Sequence, residues 1–129
     1  RRAVERREFT ICYQPIVLYP TGKIHAVEAL IRWMHPRRGL VGPSEFLSLA
    51  EETGLIFPIG EWVLEESCKQ FHAWKRAFSD ICPPAIHVNL TRNQFNNSDL
   101  VSRVKAILKS TDSDPRSIAF EVAESEAKI

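Results

Sequence analysis

Polar side chains that could do chemistry stand at alternating positions in four short segments of β-branched and aromatic residues. They are two carboxylates, two amides and one guanidinium: Glu28, Glu121, Gln14, Asn89 and Arg32. Successive side chains of a strand point to opposite sides, so these residues share one face and bulky apolar residues occupy the other. Sites in sheets and barrels are built at the carboxyl ends of parallel strands, and we expect the five side chains to converge there.

Two interpretations of this set are open from spacing alone. Two carboxylates and an amide are costly to bury together unless positive charge compensates them. Arg32 supplies one charge and a divalent cation could supply the rest; the oxygen donors favour Mg²⁺, Mn²⁺ or Ca²⁺ over zinc. In the other interpretation, Glu28 and Arg32 neutralise each other, Asn89 satisfies backbone groups, and no metal is bound. His87 shares the face of Asn89 and could act as a base, but a hydrogen-bonded core histidine is the favoured interpretation.

The strands that must position these residues are predicted from alternating apolar and polar side chains. The pattern predicts strands over residues 9–17, 24–33, 85–90 and 118–124. The segment Pro20-Thr21-Gly22-Lys23 is typical of a tight turn, so the first two strands are expected to form an antiparallel hairpin.

Helices are predicted between the later strands. Apolar residues at helical spacing predict helices over residues 43–53 and 59–78, and a third helix for which Asn97 or Ser98 is the N-cap. The aromatic residues of 59–78 are expected in the core. Strands separated by amphipathic helices indicate an α/β fold with a mainly parallel sheet.

Composition limits the classes of function. The chain has 129 residues, 44% of them hydrophobic, and a net charge of +1. These values fit a soluble domain and argue against electrostatic binding to DNA, RNA or an acidic membrane. No apolar run approaches the ~20 residues of a membrane-spanning helix. Cys12, Cys68 and Cys82 are odd in number and widely spaced, which favours free thiols in a reducing compartment over a disulfide or a zinc site.

A family resemblance begins at the second strand. The segment Val-Glu-Ala-Leu-Ile-Arg-Trp at 27–33, followed by His35-Pro36, resembles the signature of the EAL domain family, which hydrolyses the bacterial second messenger cyclic di-GMP. Further segments resemble the family in the same order along nearly the whole chain. They are Tyr-Gln-Pro-Ile at 13–16, the loop and helix at 39–56, Val-Asn-Leu-Thr at 88–91 with Gln94-Phe95, and Phe-Glu-Val-Ala-Glu-Ser at 120–125.

The resemblance implies the N-terminal half of a (β/α)8 TIM-type barrel with an antiparallel first strand. Residues 1–8 are then expected to end a linker helix, and residues 9–129 to form the first half of an EAL domain with four strands and about three helices. A complete barrel typically needs about 250 residues. The chain begins at Arg1 without a methionine, which also suggests a piece of a longer protein.

The resemblance implies a two-metal site. Glu28, Asn89 and Glu121 match the metal ligands of the family, and the two glutamates are its catalytic carboxylates here. The implied cofactor is Mg²⁺ or Mn²⁺, which activates a water and stabilises charge on the phosphoryl oxygens. The product is linear diguanylate, and further ligands are expected beyond this chain.

Other matched positions imply substrate and loop contacts. Gln14 and Arg32 match residues that contact the bound dinucleotide, Arg32 at a phosphate. Glu124 matches the glutamate that anchors a mobile active-site loop and so governs metal binding and dimerisation. Ala123 stands where the family usually has Thr, a change that removes no metal ligand.

The sequence is therefore compatible with three functions. In the first, the parent protein is a cyclic di-GMP phosphodiesterase of the bacterial cytoplasm, a homodimer that another domain can tether to a membrane, and this fragment alone is inactive. In the second, a degenerate EAL domain binds cyclic di-GMP or a partner protein without catalysis. In the third, outside the family, the chain is a small α/β module with buried ion pairs and no metal.

Overall fold

A mixed five-stranded sheet lies at the centre of the structure, a computed structural model that describes residues 8–122. Its strands are β1 (Phe9–Val17), β2 (Ile24–His35), β3 (Gly39–Val41), β4 (Ile86–Leu90) and β5 (Ile118–Val122). The order across the sheet is β1-β2-β4-β5, and β3 pairs with the end of β2. Strand β1 is antiparallel to β2, whereas β2, β4 and β5 are parallel.

Four helices connect the strands of this sheet in residues 8–122. They are α1 (Pro43–Thr53), α2 (Ile56–Ala77), α3 (Arg92–Phe95) and α4 (Leu100–Ser110), and a 3-10 turn at Pro115–Ser117 leads into β5. The alternation of parallel strands and helices confirms the predicted α/β fold. None of the helices within residues 8–122 is long and apolar enough to cross a membrane.

The predicted hairpin is confirmed. The N–H of Leu18 donates to the carbonyl of Lys23 at 2.8 Å, and that of Gly22 donates to the carbonyl of Leu18 at 2.7 Å. Gly22 has a φ of 73°, which a glycine adopts without steric cost. The pairing sets Gln14 directly opposite Glu28, so the two side chains emerge on the same face of the sheet.

The apolar face of the sheet packs under α2. Side chains from one stripe of this helix contact the buried side chains of β2 and β4, and together they form the core: Val27, Ala29, Ile56, Ile59, Val63, Leu64, Cys68, Phe71, Ile86 and Val88. Phe9, Ile11 and Tyr13 of β1 pack against the edge of this core. The predicted division into an apolar and a polar face is therefore confirmed for β1, β2 and β4.

The predicted aromatic core is confirmed with one exception. Phe71 is buried, and Trp62 and Trp74 are packed against the core. Phe78 is wrong as a core residue because it is the residue after the last turn of α2, where its side chain is 54% exposed. Phe120, on the apolar face of β5, is also partly exposed, since α4 packs mainly on α2.

The starts of two helices differ from the prediction. Helix α2 begins at Ile56 rather than at 59, because Pro58 is tolerated in a first turn, where its missing N–H has no helical partner. Helix α4 begins at Leu100, because the Asn97 side chain accepts from the N–H of Asp99 at 2.9 Å and forms a turn ahead of the helix. By contrast, α1 has the predicted ends, with Pro43 in its first turn and Gly54 at its C-cap.

The expected linker helix over residues 1–8 lies outside the described residues except for Glu8. The carbonyl of Glu8 accepts from the N–H of Met34 at 2.7 Å, and its side chain accepts from Trp33 Nε1 at 2.9 Å. The cysteines agree with the expectation of free thiols: Cys68 is buried, Cys12 is exposed, and no disulfide joins the three. Burial raises the pKa of the Cys68 thiol.

A buried glutamine ties α3 to the start of α2. Gln94 Oε1 accepts from the N–H of Thr91 at 2.8 Å, and Thr91 Oγ1 accepts from the N–H of Gln94 at 3.3 Å, a capping box. Gln94 Nε2 donates to the carbonyl of Ile56 at 3.1 Å. The Gln94 amide lies where a Cβ at Gly60 would stand, so any larger residue at position 60 requires this side chain to move.

Replacing Gly60 by Ala is expected to destabilise the protein by about 1–2 kcal/mol. The new methyl group displaces the Gln94 amide from its buried hydrogen bonds, and that loss exceeds the gain in helix propensity of about 1 kcal/mol. In a Gln94→Ala background, the same substitution is expected to be stabilising, because only the propensity gain remains. Urea denaturation of the four proteins of this double-mutant cycle measures both values. An equal effect in both backgrounds would contradict the contact.

Tyr13 is half-buried at the edge of the core. Its ring lies between β1 and α2 and meets the edge of Trp74 at a centroid distance of 4.9 Å. Burial raises the pKa of Tyr13 from 10.0 to about 12. The folded state therefore binds this proton more tightly than the unfolded chain does. The resulting stabilisation is complete below pH 10 and is lost as the pH rises toward 12.

The wild-type free energy of unfolding should thus fall between pH 9 and pH 12 by about 1 kcal/mol more than that of Tyr13→Phe, a figure reduced for the partial exposure of the ring. Urea denaturation across this pH range measures the difference. Tyr19→Phe is the matched control, because Tyr19 is 96% exposed. The same alkaline dependence in wild type and Tyr13→Phe would count against this assignment.

Candidate active site

The polar face of the sheet is organised around β4. This strand lies between β2 and β5, and its alternate residues His87 and Asn89 share one face. In the parallel registers, Glu28 of β2 stands beside His87, and Glu121 of β5 stands beside Asn89. Four polar side chains from three adjacent strands thus come together on the face opposite the helices.

Each carboxylate of this group accepts a hydrogen bond from β4. Asn89 Nδ2 donates to Glu28 Oε2 at 2.8 Å, and His87 Nδ1 bonds to Glu121 Oε1 at 2.5 Å. With Glu121 ionised, its carboxylate can only accept, and we therefore assign Nδ1 as the donating nitrogen of the imidazole. The two bonds run diagonally, one to each neighbouring strand. The expectation that His87 is hydrogen-bonded is confirmed.

The structure brings four of the five sequence-predicted residues together. Asn89 is hydrogen-bonded to Glu28 and stands beside Glu121 in the parallel register. Gln14 stands opposite Glu28 on β1. Arg32 shares their face but lies four residues further along β2, about 13 Å at ~3.3 Å per residue. Its Nη1 donates to the carbonyl of Ile31 at 2.8 Å.

The ion-pair interpretation is therefore not what forms. Among the ion pairs of residues 8–122, neither Glu28 nor Glu121 is joined to a lysine or arginine. Glu28 bonds instead to the amide of Asn89, and Arg32 to a neutral carbonyl. Two carboxylates on one face, with no lysine or arginine of the described part of the chain paired to them, favour the binding of a cation.

The donor chemistry of this group fits Mg²⁺ or Mn²⁺. Both glutamates and the Asn89 side-chain oxygen are hard ligands of the type these ions prefer. The Glu121 side chain is 42% exposed, so a ligand can reach it. Within residues 8–122, no cluster of three or more His, Cys, Asp or Glu could hold a metal by itself. The group therefore supplies part of a coordination shell, and water, substrate or other protein ligands would have to complete it.

A cavity of about 240 Å³ opens beside this group, at the carboxyl ends of the parallel strands. Asn89 and Glu121 line it on the polar side, and Leu30, Leu47 and Val63 are among its apolar residues. Two residues after Asn89, Thr91 forms the capping box that begins α3, so β4 ends at Leu90. Sequence analysis missed this device, although the spacing Thr-x-x-Gln is its signal.

The last predicted site residue, Glu124, and its neighbour Ala123 lie outside residues 8–122. The loop-anchoring role of Glu124 therefore stays a prediction.

Comparisons with known proteins agree on one family. A model described as the EAL domain matches residues 1–128. Among curated relatives, the bifunctional diguanylate cyclase/cyclic di-GMP phosphodiesterase MucR of Pseudomonas aeruginosa is 46% identical over 128 residues. The match covers 98% of this chain and 18% of MucR.

Solved structures of this family share the fold. The PaMucR phosphodiesterase in complex with c-di-GMP superposes with a TM-score of 0.92 at 45% identity, over 99% of this chain and 51% of that one. The FimX EAL domain of Pseudomonas aeruginosa bound to c-di-GMP gives a TM-score of 0.81 at 28% identity, over 98% of this chain and 49% of the other. The chain thus spans about half of each solved chain.

Proposed function

The chain belongs to the EAL domain family, and we propose that it is the first half of a catalytic domain that hydrolyses cyclic di-GMP to linear diguanylate in a longer protein. The observation that carries the proposal is the group on β2, β4 and β5, in which Glu28, Asn89 and Glu121 stand together and no lysine or arginine of the described residues forms an ion pair with either glutamate. The named activity of MucR and its structure with c-di-GMP support the substrate.

In this proposal the three oxygen-donor residues bind divalent cations. Glu28 and Glu121 contribute negative charge, and Asn89 contributes an amide oxygen while its Nδ2 holds Glu28 in place. Mg²⁺ or Mn²⁺ bound there would supply Lewis acidity toward water and the phosphodiester. The remaining ligands would come from the second half of the domain.

The substrate would lie along the polar face of β1 and β2. Gln14 faces Glu28 across the hairpin and is exposed, so its amide can contact the nucleotide. Arg32 bonds only to a neutral carbonyl among its described contacts, and it lies too far along β2 to neutralise Glu28. Its guanidinium therefore retains the charge needed to bind a phosphate. Through the family resemblance, Glu124 anchors the loop that couples this site to a homodimer.

The alternative is a domain that binds cyclic di-GMP without hydrolysing it. The FimX EAL domain bound to c-di-GMP supports binding as a function within the family. Catalysis is the preferred proposal, because all three oxygen-donor residues that this half can contribute are present.

The 129-residue chain alone should hydrolyse cyclic di-GMP far more slowly than the full-length protein, because the chain spans about half of the solved EAL chains and the remaining ligands of the proposed site would lie in the other half. Chromatographic detection of linear diguanylate at equal protein concentration, with Mg²⁺ or Mn²⁺, measures both rates. Comparable rates would contradict the proposal that the second half is required.

Glu28→Gln or Glu121→Gln in the full-length protein should each lower kcat by about 100-fold or more, since each removes a charged oxygen ligand where charge develops. Each should also weaken Mn²⁺ binding in calorimetry. Glu52→Gln on the exposed side of α1 is the matched control and should change neither value. Wild-type protein that binds cyclic di-GMP but shows no turnover would favour the alternative.

A further inference from the structure

We propose that His87 is a positioning residue, which orients the carboxylate of Glu121 toward a divalent cation by donating a hydrogen bond from Nδ1; this inference rests on the proposed function. None of the motifs that carry the family resemblance assigns a role to His87. The structure does, because the shortest side-chain contact of Glu121 is with this imidazole, at 2.5 Å.

His87 lies two residues before Asn89 on the central strand, β4. That spacing sends both side chains to the polar face, and the parallel registers bring Glu28 to one side of β4 and Glu121 to the other. Asn89 donates to Glu28 and His87 donates to Glu121. Each carboxylate therefore receives one N–H donor from the same strand.

The side chains of His87 and Glu121 differ in their exposure to solvent. The His87 side chain is 21% exposed, whereas that of Glu121 is 42% exposed. The donor is therefore the more buried partner, and the bond holds the carboxylate from its buried side. The other oxygen of Glu121 is not engaged by this bond and can serve as a ligand.

The imidazole of His87 is a suitable donor to a carboxylate that binds a metal ion. A lysine or arginine at position 87 would form an ion pair with Glu121 and repel a divalent cation. An imidazole N–H can donate to the same carboxylate, and in its neutral form the ring adds no positive charge beside the cation. Donors of this kind beside ligating groups commonly change metal affinity or activity by about 10- to 100-fold when they are removed.

The test is Mn²⁺ binding by the full-length protein, measured by calorimetry in the absence of substrate. His87→Leu keeps much of the volume and removes the donor, and it should weaken Mn²⁺ binding by about 10-fold or more. His87→Asn places an amide N–H near the position of Nδ1 and should bind Mn²⁺ about 10-fold more tightly than His87→Leu. This rescue separates the donor from the ring.

Kinetics give a second measurement. At limiting Mn²⁺, His87→Leu should lower kcat; saturating Mn²⁺ should restore it, and the KM for cyclic di-GMP should stay that of the wild type. His72→Leu is the matched control, since His72 is also partly buried but lies on α2, away from the polar face, and it should change none of these values.

Two results would overturn the inference: wild-type Mn²⁺ affinity in His87→Leu, or equal losses in His87→Leu and His87→Asn. If His87→Leu does not fold, the Mn²⁺ affinity of His87→Asn decides, because near-wild-type binding supports the donor role and a full loss refutes it. The variant Glu121→Gln distinguishes failure of the positioning role from failure of the proposed metal site. Loss of Mn²⁺ binding there with no effect at His87 refutes the positioning role alone, whereas retention in Glu121→Gln refutes the proposed metal site.

Discussion

The parallel pairing of β4 with strands on both sides is the constraint on which the rest of this structure depends. Because side chains alternate along a strand, five residues of β4 serve the core and the polar face at once. Ile86 and Val88 are buried under α2, while His87 and Asn89 reach the carboxylates of the neighbouring strands. A shift of this strand by one residue would exchange the two faces and bury the polar groups.

The length of an element decided whether it could be predicted from the sequence. Long patterns were sufficient: the strands at residues 9–17 and the helix at 43–53 have the predicted ends, and the hairpin follows from its turn residues. Short elements were not predicted. Strand β3 has three residues and α3 has four, so each contains little more than one period and cannot show the repetition by which a pattern is detected in the sequence.

The site was predictable as a set of residues on one face, but its pairing was not. Alternation places Glu28 and Arg32 on one side of β2, which made an ion pair between them a reasonable interpretation. The structure separates them along the strand and gives Glu28 a partner on β4 instead. Partners of this kind depend on the register between strands that are distant in sequence, and single-strand periodicity contains no information about that register.

The glycine at position 60 and the glutamine at position 94 have a consequence for the history of the sequence. The two residues lie in different elements, 34 positions apart, yet the Gln94 amide fills the volume that any other side chain at position 60 would need. Related proteins that keep a glutamine at the position of Gln94 should keep glycine at the position of Gly60. Those that have a larger residue there should have lost the glutamine. The pair is therefore expected to covary in an alignment, although neither residue supplies a charged group to the cavity that both of them line.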